Sequence, residues 1–173
     1  MMTDDQWNGM MGTVQEYYIK EDKYKSVTNG TYAQFMTFVP SENRLYAKFS
    51  SADTLYWFDV TVGNSEVERT EFIKTNERIL GMKCKILVLY TSKGKETYYY
   101  NKHLKADPLY FQKHRFANWS TVVSRTHALP LKVILESEQF NLTSTAVEIE
   151  ETELEDAFFE LPDLPKKVSP FEN

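Results

Sequence analysis

The pattern of apolar and polar positions in residues 83–102 predicts a β-hairpin. In its first arm, alternate residues form two sets, one containing Ile86 and the other Leu87, as a strand places them on opposite faces. A polar turn follows, with Gly94 where a positive φ angle favours glycine. The second arm carries three consecutive tyrosines, a residue type that favours strands. We expect the other strands to be added on either side of this hairpin.

Alternating patterns outside the hairpin predict further short strands, about ten in all, joined by tight turns. The pair Asn29-Gly30 is a strong signal for a two-residue hairpin turn. The predicted strands outside the hairpin are residues 13–20, 23–28, 31–39, 44–50, 54–62, 67–74, 131–140 and 142–150.

One stretch has helical rather than alternating spacing. Asp107 can cap the free N–H groups of a helix, and Pro108 suits the first helical position. Four apolar residues then follow at spacings that place them on one helical stripe. We therefore expect one substantial helix from Pro108 to about Val123. The residues of the stripe are Leu109, Phe116, Trp119 and Val123.

This order of elements predicts a mainly β fold. Many short strands in succession indicate an antiparallel meander, and a sheet of about ten strands must curl. We expect a single curved antiparallel sheet, with the helix in or over its concave face or at one end. Residues 1–173 are expected to form a single domain, in which residues 1–11 and 163–173 are loose.

Composition and charge limit the classes of partner. An aromatic content of 14% favours a β-rich domain. The net charge of −5 opposes binding to a phosphate backbone, which needs clustered Lys and Arg. The three tyrosines and nearby lysines could form a stacking surface for single strands, but consecutive strand residues alternate between faces. We therefore predict no nucleic-acid partner.

The sequence contains no pattern typical of catalysis or metal binding. His103, His114 and His127 lack the i, i+4 spacing of a helical metal site, and we expect them in loops or at the surface. The single cysteine, Cys84, rules out an internal disulfide and is expected to be a buried structural thiol. The acidic residues within 148–156 lack the order of a calcium loop and suit a solvated strand edge. We predict no catalytic residue, no metal, no cofactor and no enzymatic activity.

No apolar run approaches the roughly 18 to 20 residues that span a bilayer. The N-terminal residues also lack the basic and apolar regions of a signal peptide. We expect a chain without a transmembrane segment, either cytoplasmic or exported with its signal removed. A local basic patch leaves peripheral contact with an anionic membrane open. Sequons at Asn29, Asn118 and Asn141 are weak evidence for glycosylation.

Several motifs resemble those of uncharacterised exported bacterial domains of the lipoprotein-carrier (LolA-like) superfamily. Residues 78–85, RILGMKCK, are similar to the start of a strand in that group. Residues 20–23 after an early strand, the pair Pro130-Leu131 after a helical insertion, and the closing residues 158–162 fit the same pattern. Together these motifs cover most of the chain from Gly12 to Pro162.

The resemblance implies an unclosed β-barrel, a curved antiparallel sheet that wraps a hydrophobic cavity. In the better-known relatives this cavity holds acyl chains. The resemblance also implies a periplasmic or otherwise exported location, and it makes a lipid or a lipoprotein the expected partner.

Two functions follow as hypotheses. The first is a non-enzymatic exported binding protein that takes an apolar ligand, a lipid or an acylated peptide, in a concave cavity of the sheet. The helical stripe would then be a lid over that cavity; the alternative is that it only caps the core of the sheet. The second is a structural or protein-interaction domain with a filled core and no small-molecule ligand. The expected pocket-lining residues are Phe35, Phe49, Phe58, Ile86, Val88, Phe116 and Trp119.

Overall fold

The computed structural model describes residues 3–170 of the chain. Within these residues the fold is mainly β and its sheets are open, so the predicted fold class is confirmed at that level. The chain divides into two compact units. The first contains the described residues up to Val60 and those from Glu153 onward, and the second is Thr61–Thr152.

The described residues contain both strands and short helices. The α-helices are α1 (Asp4–Met11), α2 (Pro108–Phe111) and α3 (Trp119–Thr126). The strands are β1 (Gln15–Lys20), β2 (Lys23–Thr28), β3 (Ala33–Val39), β4 (Arg44–Phe49), β5 (Leu55–Asp59), β6 (Val67–Ile73), β7 (Arg78–Ile79), β8 (Met82–Lys83), β9 (Lys85–Thr91), β10 (Gly94–Lys105), β11 (Ala128–Ser137), β12 (Asn141–Thr145) and β13 (Lys166–Val168).

The first unit is a six-stranded sheet in the order β1-β2-β3-β4-β5-β13. Its strands are antiparallel neighbours, except that β13 runs parallel to β5. Residues paired across strands share a face. One face buries Tyr24, Phe38 and Leu45, and the opposite face buries Thr37 and Tyr46. Both faces of this sheet are therefore part of the core.

The C-terminal segment, residues 153–168, crosses the face that contains Thr37, and we call it the C-terminal strap. Near its start, Asp156 accepts hydrogen bonds from Lys20 at 3.0 Å and from Lys23 at 3.2 Å. Further along, the Lys25 ammonium donates to the carbonyl of Phe158 at 3.1 Å. The strap ends as β13 beside β5. It thus runs from β1 to the far edge of the sheet.

Both segments that were predicted to be loose contain regular secondary structure. Thr3 caps α1 in a capping box with Gln6, so part of the first segment forms a helix without buried side chains. At the other end, residues of the predicted loose tail form β13. The parts of this prediction that concern residues 1, 2 and 171–173 lie outside the described residues.

The predicted two-residue hairpin at Asn29-Gly30 is wrong. The connection from β2 to β3 is longer, because β2 and β3 are paired only from Val27 and Phe35 onward. The Asn29 side-chain oxygen instead accepts hydrogen bonds from the backbone N–H groups that follow α1. A Cβ at Gly30 would collide with the carbonyl of Met10, which shows how closely this loop packs on the end of α1. Tertiary packing therefore overrides the local turn signal.

The second unit contains a five-stranded antiparallel sheet in the order β12-β11-β10-β9-β6, and β7 and β8 form a separate small hairpin. The predicted central hairpin is confirmed as β9 and β10. Its arms pair from Thr91 and Gly94, and Gly94 has a φ of 142°. A Cβ there would overlap the backbone carbonyl of Glu136 in β11. Glycine is therefore required both by the turn and by the close approach of the next strand.

The predicted helix over residues 108–123 is divided. The chain forms α2, then a 3₁₀ turn at Phe116–Asn118, and then α3. Ala117 and Asn118 have φ angles of 52° and 54°, which break a continuous helix. Val122 of α3 packs with Leu87 of β9 in the core of this unit, whereas Leu109 is 71% exposed. The predicted stripe is therefore not one continuous buried face.

The single sheet predicted from the sequence is instead two main sheets and one small hairpin. The reason lies at the outer edge of β5. β13 pairs with that edge, for example Lys166 with Leu55. Because β13 occupies the edge, β6 does not continue the first sheet. β6 pairs with β9 instead, up to Ile73 and Ile86. Among the residues that the structure describes, neither sheet closes into a barrel.

Candidate functional site

The second unit contains an open groove of about 720 Å³ beside the start of β9. It lies at the edge of the five-stranded sheet, where β6 ends. Its lining combines apolar side chains with lysines. The lining residues are Phe72, Ile73, Lys74, Thr75, Asn76, Lys83, Cys84, Lys85, Ile86 and Tyr100.

The groove forms because the two strands separate. β6 and β9 stay paired as far as Ile73 and Ile86. Backbone hydrogen bonding resumes where the N–H of Cys84 donates to the carbonyl of Glu77 at 3.0 Å. Residues 74–76, which follow β6, therefore lie opposite a single residue, Lys85, at the start of β9. Such a mismatch bends the longer segment away from its partner, as in a β-bulge.

The sequence at the separation explains why pairing stops there. Continued pairing would place Lys74 directly opposite Lys85, and like charges in that position are destabilising. Thr75 also favours a turn, because its hydroxyl accepts a hydrogen bond from the N–H of Glu77 at 3.0 Å. The gap is therefore a result of local side-chain chemistry.

The walls of the groove are largely apolar. Phe72 is 54% exposed and Ile73 is 40% exposed, although both belong to a strand. Their partners in β9, Leu87 and Ile86, are buried. Consecutive residues of a strand project to opposite faces, so Phe72 and Ile73 flank the edge of the sheet from both sides. The edge thus offers apolar surface for a ligand to cover.

Three lysines surround this apolar surface. Lys74, Lys83 and Lys85 are all exposed, and within residues 3–170 none of them makes an ion pair. The two nearest acidic residues along the chain are already engaged, Glu71 by Arg69 at 3.2 Å and Glu77 by Lys132 at 3.0 Å. The positive charge at the groove is therefore not compensated by a neighbouring carboxylate.

The other titratable groups of the groove do not offset this charge. Burial raises the pKa of the Cys84 thiol, and burial also raises the pKa of the Tyr100 phenol. Both groups are therefore neutral near pH 7. Cys84 is 2% exposed, as predicted for a structural thiol, and its Sγ lies 3.6 Å from the carbonyl oxygen of Met82. The groove thus combines apolar walls with a net positive rim.

Three of the predicted pocket residues belong to the first unit. Phe49 and Phe58 share the face of Leu45, whereas Phe35 pairs with Lys48 and lies on the opposite face. All three phenylalanines are half-buried. The structure therefore does not bring Phe35 together with the other two on one surface.

The other four predicted pocket residues belong to the second unit. Ile86 lines the groove, and Val88 is buried on the same face of β9. Phe116 lies in the 3₁₀ turn, and the Trp119 ring at the start of α3 contacts Phe111, with ring centroids 6.0 Å apart. α3 packs on the opposite face of β9, the face of Leu87 and Leu89. The predicted lid therefore does not cover Ile86 and Val88.

The histidines lie at the surface or in a loop. His103 and His127 are exposed, whereas His114 is in the loop between α2 and α3 and is only 2% exposed. Burial lowers the pKa of His114 to about 4, so its ring is neutral near pH 7. Across residues 3–170, no three His, Cys, Asp or Glu side chains are grouped as a metal site would require.

Sequence reasoning missed most of the groove. Phe72 and Ile73 fall in the predicted strand 67–74, and they reach the start of β9 only through the pairing of β6 with β9. One signal was available: Lys83 and Lys85 occupy the same alternating set as Leu87 on a strand that is otherwise apolar. Charged residues at such positions indicate a place where the strand edge is open.

None of the helices in the described part of the chain has the length and apolar character needed to cross a membrane. Comparisons with protein-family models, with curated proteins and with solved structures gave no match to this chain.

Proposed function

We propose that this protein is a non-enzymatic binding protein that holds an apolar ligand, a lipid or an acylated peptide, in the groove between β6 and β9. The observation that carries the proposal is the exposure of Phe72 and Ile73 at the point where these strands separate. Large apolar side chains beside a concave surface favour a ligand that removes them from water. The groove volume of about 720 Å³ lies within the range of about 300–1,000 Å³ of small-molecule sites.

The proposal includes a carrier role of the LolA-like kind and an exported, periplasmic location. Both rest on the resemblance of residues 78–85 and of the closing residues 158–162 to that superfamily. The groove differs from the cavity that the resemblance implies, because it lies at a sheet edge. A carrier with an open groove at a sheet edge would take up and release its ligand without opening an enclosed cavity.

The first test is native mass spectrometry of the freshly purified protein, with organic extraction of the same sample. We expect a mass excess that is recovered as lipid in the extract. A bare mass, together with no uptake of added lipid, would contradict the proposal.

A binding titration locates the site. The neutral apolar dye N-phenyl-1-naphthylamine should gain fluorescence with the wild-type protein. The double variant Phe72→Ser, Ile73→Ser should bind it about tenfold or more weakly, because each large apolar side chain contributes about 1.5–3 kcal/mol when covered. Both residues are exposed, so the fold should be retained.

The matched control removes exposed apolar surface elsewhere. Leu109 is 71% exposed and does not line the groove. Leu109→Ser should bind the dye as the wild type does. Equal affinity of the double variant and of Leu109→Ser would place the dye elsewhere and refute the groove as the site.

The alternative function is a protein-interaction domain. One observation favours it: Val147 is 84% exposed and Ile149 is 45% exposed in the segment that follows the edge strand β12. A partner strand could cover these side chains. Light scattering over a range of concentrations distinguishes the two functions. A dimer that dissociates on Val147→Asp, in a protein without bound lipid, would favour the interaction domain.

A further inference from the structure

We infer that the groove selects a single-chain amphiphile with a terminal carboxylate, a free fatty acid, whose carboxylate is held by Lys74, Lys83 and Lys85. This inference rests on the proposed function, because it names the ligand class of the same groove. Apolar walls alone would accept any alkyl chain. The three lysines add a preference for a negatively charged head group, which the apolar walls cannot provide.

The charge distribution is the first argument. The whole chain carries a net charge of −5, yet the groove rim holds three lysines without an acidic partner among the described residues. Glu77 is held by Lys132, and the thiol and phenol in the lining are neutral. A cationic site on an acidic protein attracts anions locally, while the rest of the surface repels them.

The position of the lysines is the second argument. Lys74 and Lys85 stand across the gap from one another, and Lys83 lies on the same side of the gap as Lys85. A carboxylate between them would relieve the repulsion of like charges and accept charge-assisted hydrogen bonds from the ammonium groups. An anion therefore fits the place where the strands separate.

The shape of the groove is the third argument. The groove is a gap at one edge of the sheet, because residues 74–76 lie opposite Lys85 alone where β6 and β9 separate. Phe72 and Ile73 flank that edge, with Ile86 behind them. One alkyl chain lying along this edge would cover the exposed parts of Phe72 and Ile73 and bring its head group to the lysines. The geometry thus points to one chain with a charged end.

The test compares two ligands of the same length. Dodecanoate and dodecanol share an alkyl chain and differ in the charge of the head group. Each would displace N-phenyl-1-naphthylamine from the wild-type protein at pH 8. We expect dodecanoate to bind about tenfold or more tightly than dodecanol, as a charge-assisted contact provides. This preference should shrink as NaCl is raised, because salt screens exposed charges.

Two variants assign the preference to the lysines. The first is the triple variant Lys74→Gln, Lys83→Gln, Lys85→Gln. Its affinities for dodecanoate and dodecanol should be about equal, because glutamine keeps much of the length of lysine but not its charge. The control is Lys93→Gln, in the hairpin turn and outside the groove, which should keep the wild-type ratio. Circular dichroism of the triple variant checks that its fold is retained.

The outcomes separate this inference from the function on which it rests. Equal affinity of the wild type for dodecanoate and dodecanol would overturn the carboxylate preference and leave apolar binding in place. A preference that survives in the triple variant would overturn the role of the lysines. Displacement by neither ligand, with no dye bound, would overturn both the inference and the proposed function.

Discussion

Glu96 shows how one residue can hold an unfavourable backbone. Its carboxylate accepts a hydrogen bond from the Tyr98 hydroxyl at 2.7 Å and another from the Asn118 amide at 2.9 Å. Asn118 and the preceding Ala117 both have left-handed φ angles, a conformation that costs energy in residues other than glycine. Asn118 is also the acceptor asparagine of a sequon, but its side chain is buried. Glu96 thus fixes the turn that precedes α3.

Removal of this carboxylate tests its role. Glu96→Ala should lower the free energy of unfolding by about 1–3 kcal/mol, because the Tyr98 hydroxyl and the Asn118 amide would lose a buried partner. Glu96→Gln keeps an acceptor and should cost less. Urea unfolding followed by tryptophan fluorescence measures both. The control is Glu68→Ala at an exposed position, and a loss no larger in Glu96→Ala than in that control would contradict the role.

The same residue predicts a pH dependence. Burial raises the pKa of Glu96 above its ordinary value of 4.5, against the opposing hydrogen bonds from Tyr98 and Asn118. Between the ordinary pKa of the unfolded chain and the raised pKa of the folded protein, Glu96 binds more protons in the folded state. The free energy of unfolding therefore falls as the pH rises through that window. Glu96→Gln should remove this part of the pH dependence. Identical pH profiles of wild type and variant in urea would refute the assignment.

At the scale of elements, the central hairpin depends on a glycine. Gly94 has a φ of 142°, and a Cβ there would overlap the Glu136 carbonyl. Gly94→Ala should therefore destabilise the protein by about 1–3 kcal/mol. Gly9→Ala is the control, because a Cβ at Gly9 meets nothing within 4 Å and alanine favours the helix in which it lies. Melting temperatures should fall for the first variant and stay or rise for the second.

At the scale of the whole molecule, the first unit is assembled from two distant stretches of chain. Five of the six strands of its sheet lie within residues 15–59, and the C-terminal strap crosses one face and adds β13 at the edge. Phe159 is the buried anchor of the strap, and Phe158 packs against Tyr18 with ring centroids 4.7 Å apart. The strap therefore contributes to the core of this unit as well as to its edge.

Shortening the buried anchor tests this contribution. Phe159→Ala should cost about 3–5 kcal/mol, because it leaves a cavity where a phenylalanine was buried. Phe158→Ala should cost less, since Phe158 is half-buried. Urea unfolding measures both variants. Equal and small losses would show that the strap does not stabilise the sheet.

The strap also predicts a loss of stability in acid. Hydrogen bonds from Lys20 and Lys23 lower the pKa of Asp156 below its ordinary value of 3.8. The ion pairs contribute at pH values above that ordinary value and are lost as the pH falls through the lowered pKa. In Asp156→Asn the free energy of unfolding should therefore decrease less as the pH is lowered into the acid range. At pH 7 the substitution should have only a small effect, because the ion pairs are exposed. An unchanged acid profile would contradict this role.

Much of the local structure could be predicted from the sequence. The alternation of apolar and polar residues identified most strands, and the hairpin of β9 and β10 was predicted with the glycine in its turn. The burial of Cys84 followed from its place on an apolar strand face. These features are local, because side-chain alternation and turn geometry depend on a few consecutive residues. Local patterns therefore determined the fold class.

The partners of the strands were decided only by the tertiary structure. Whether β5 continues to β6 or takes β13 depends on segments about a hundred residues apart, and no local pattern ranks these pairings. The candidate groove depends on the same choice, because Phe72 and Lys74 meet Lys85 only after β6 has paired with β9. The sequence by itself determined which residues form strands. Which of these residues lie opposite one another was decided by the pairing and register of distant strands, because packing across the whole unit sets that register.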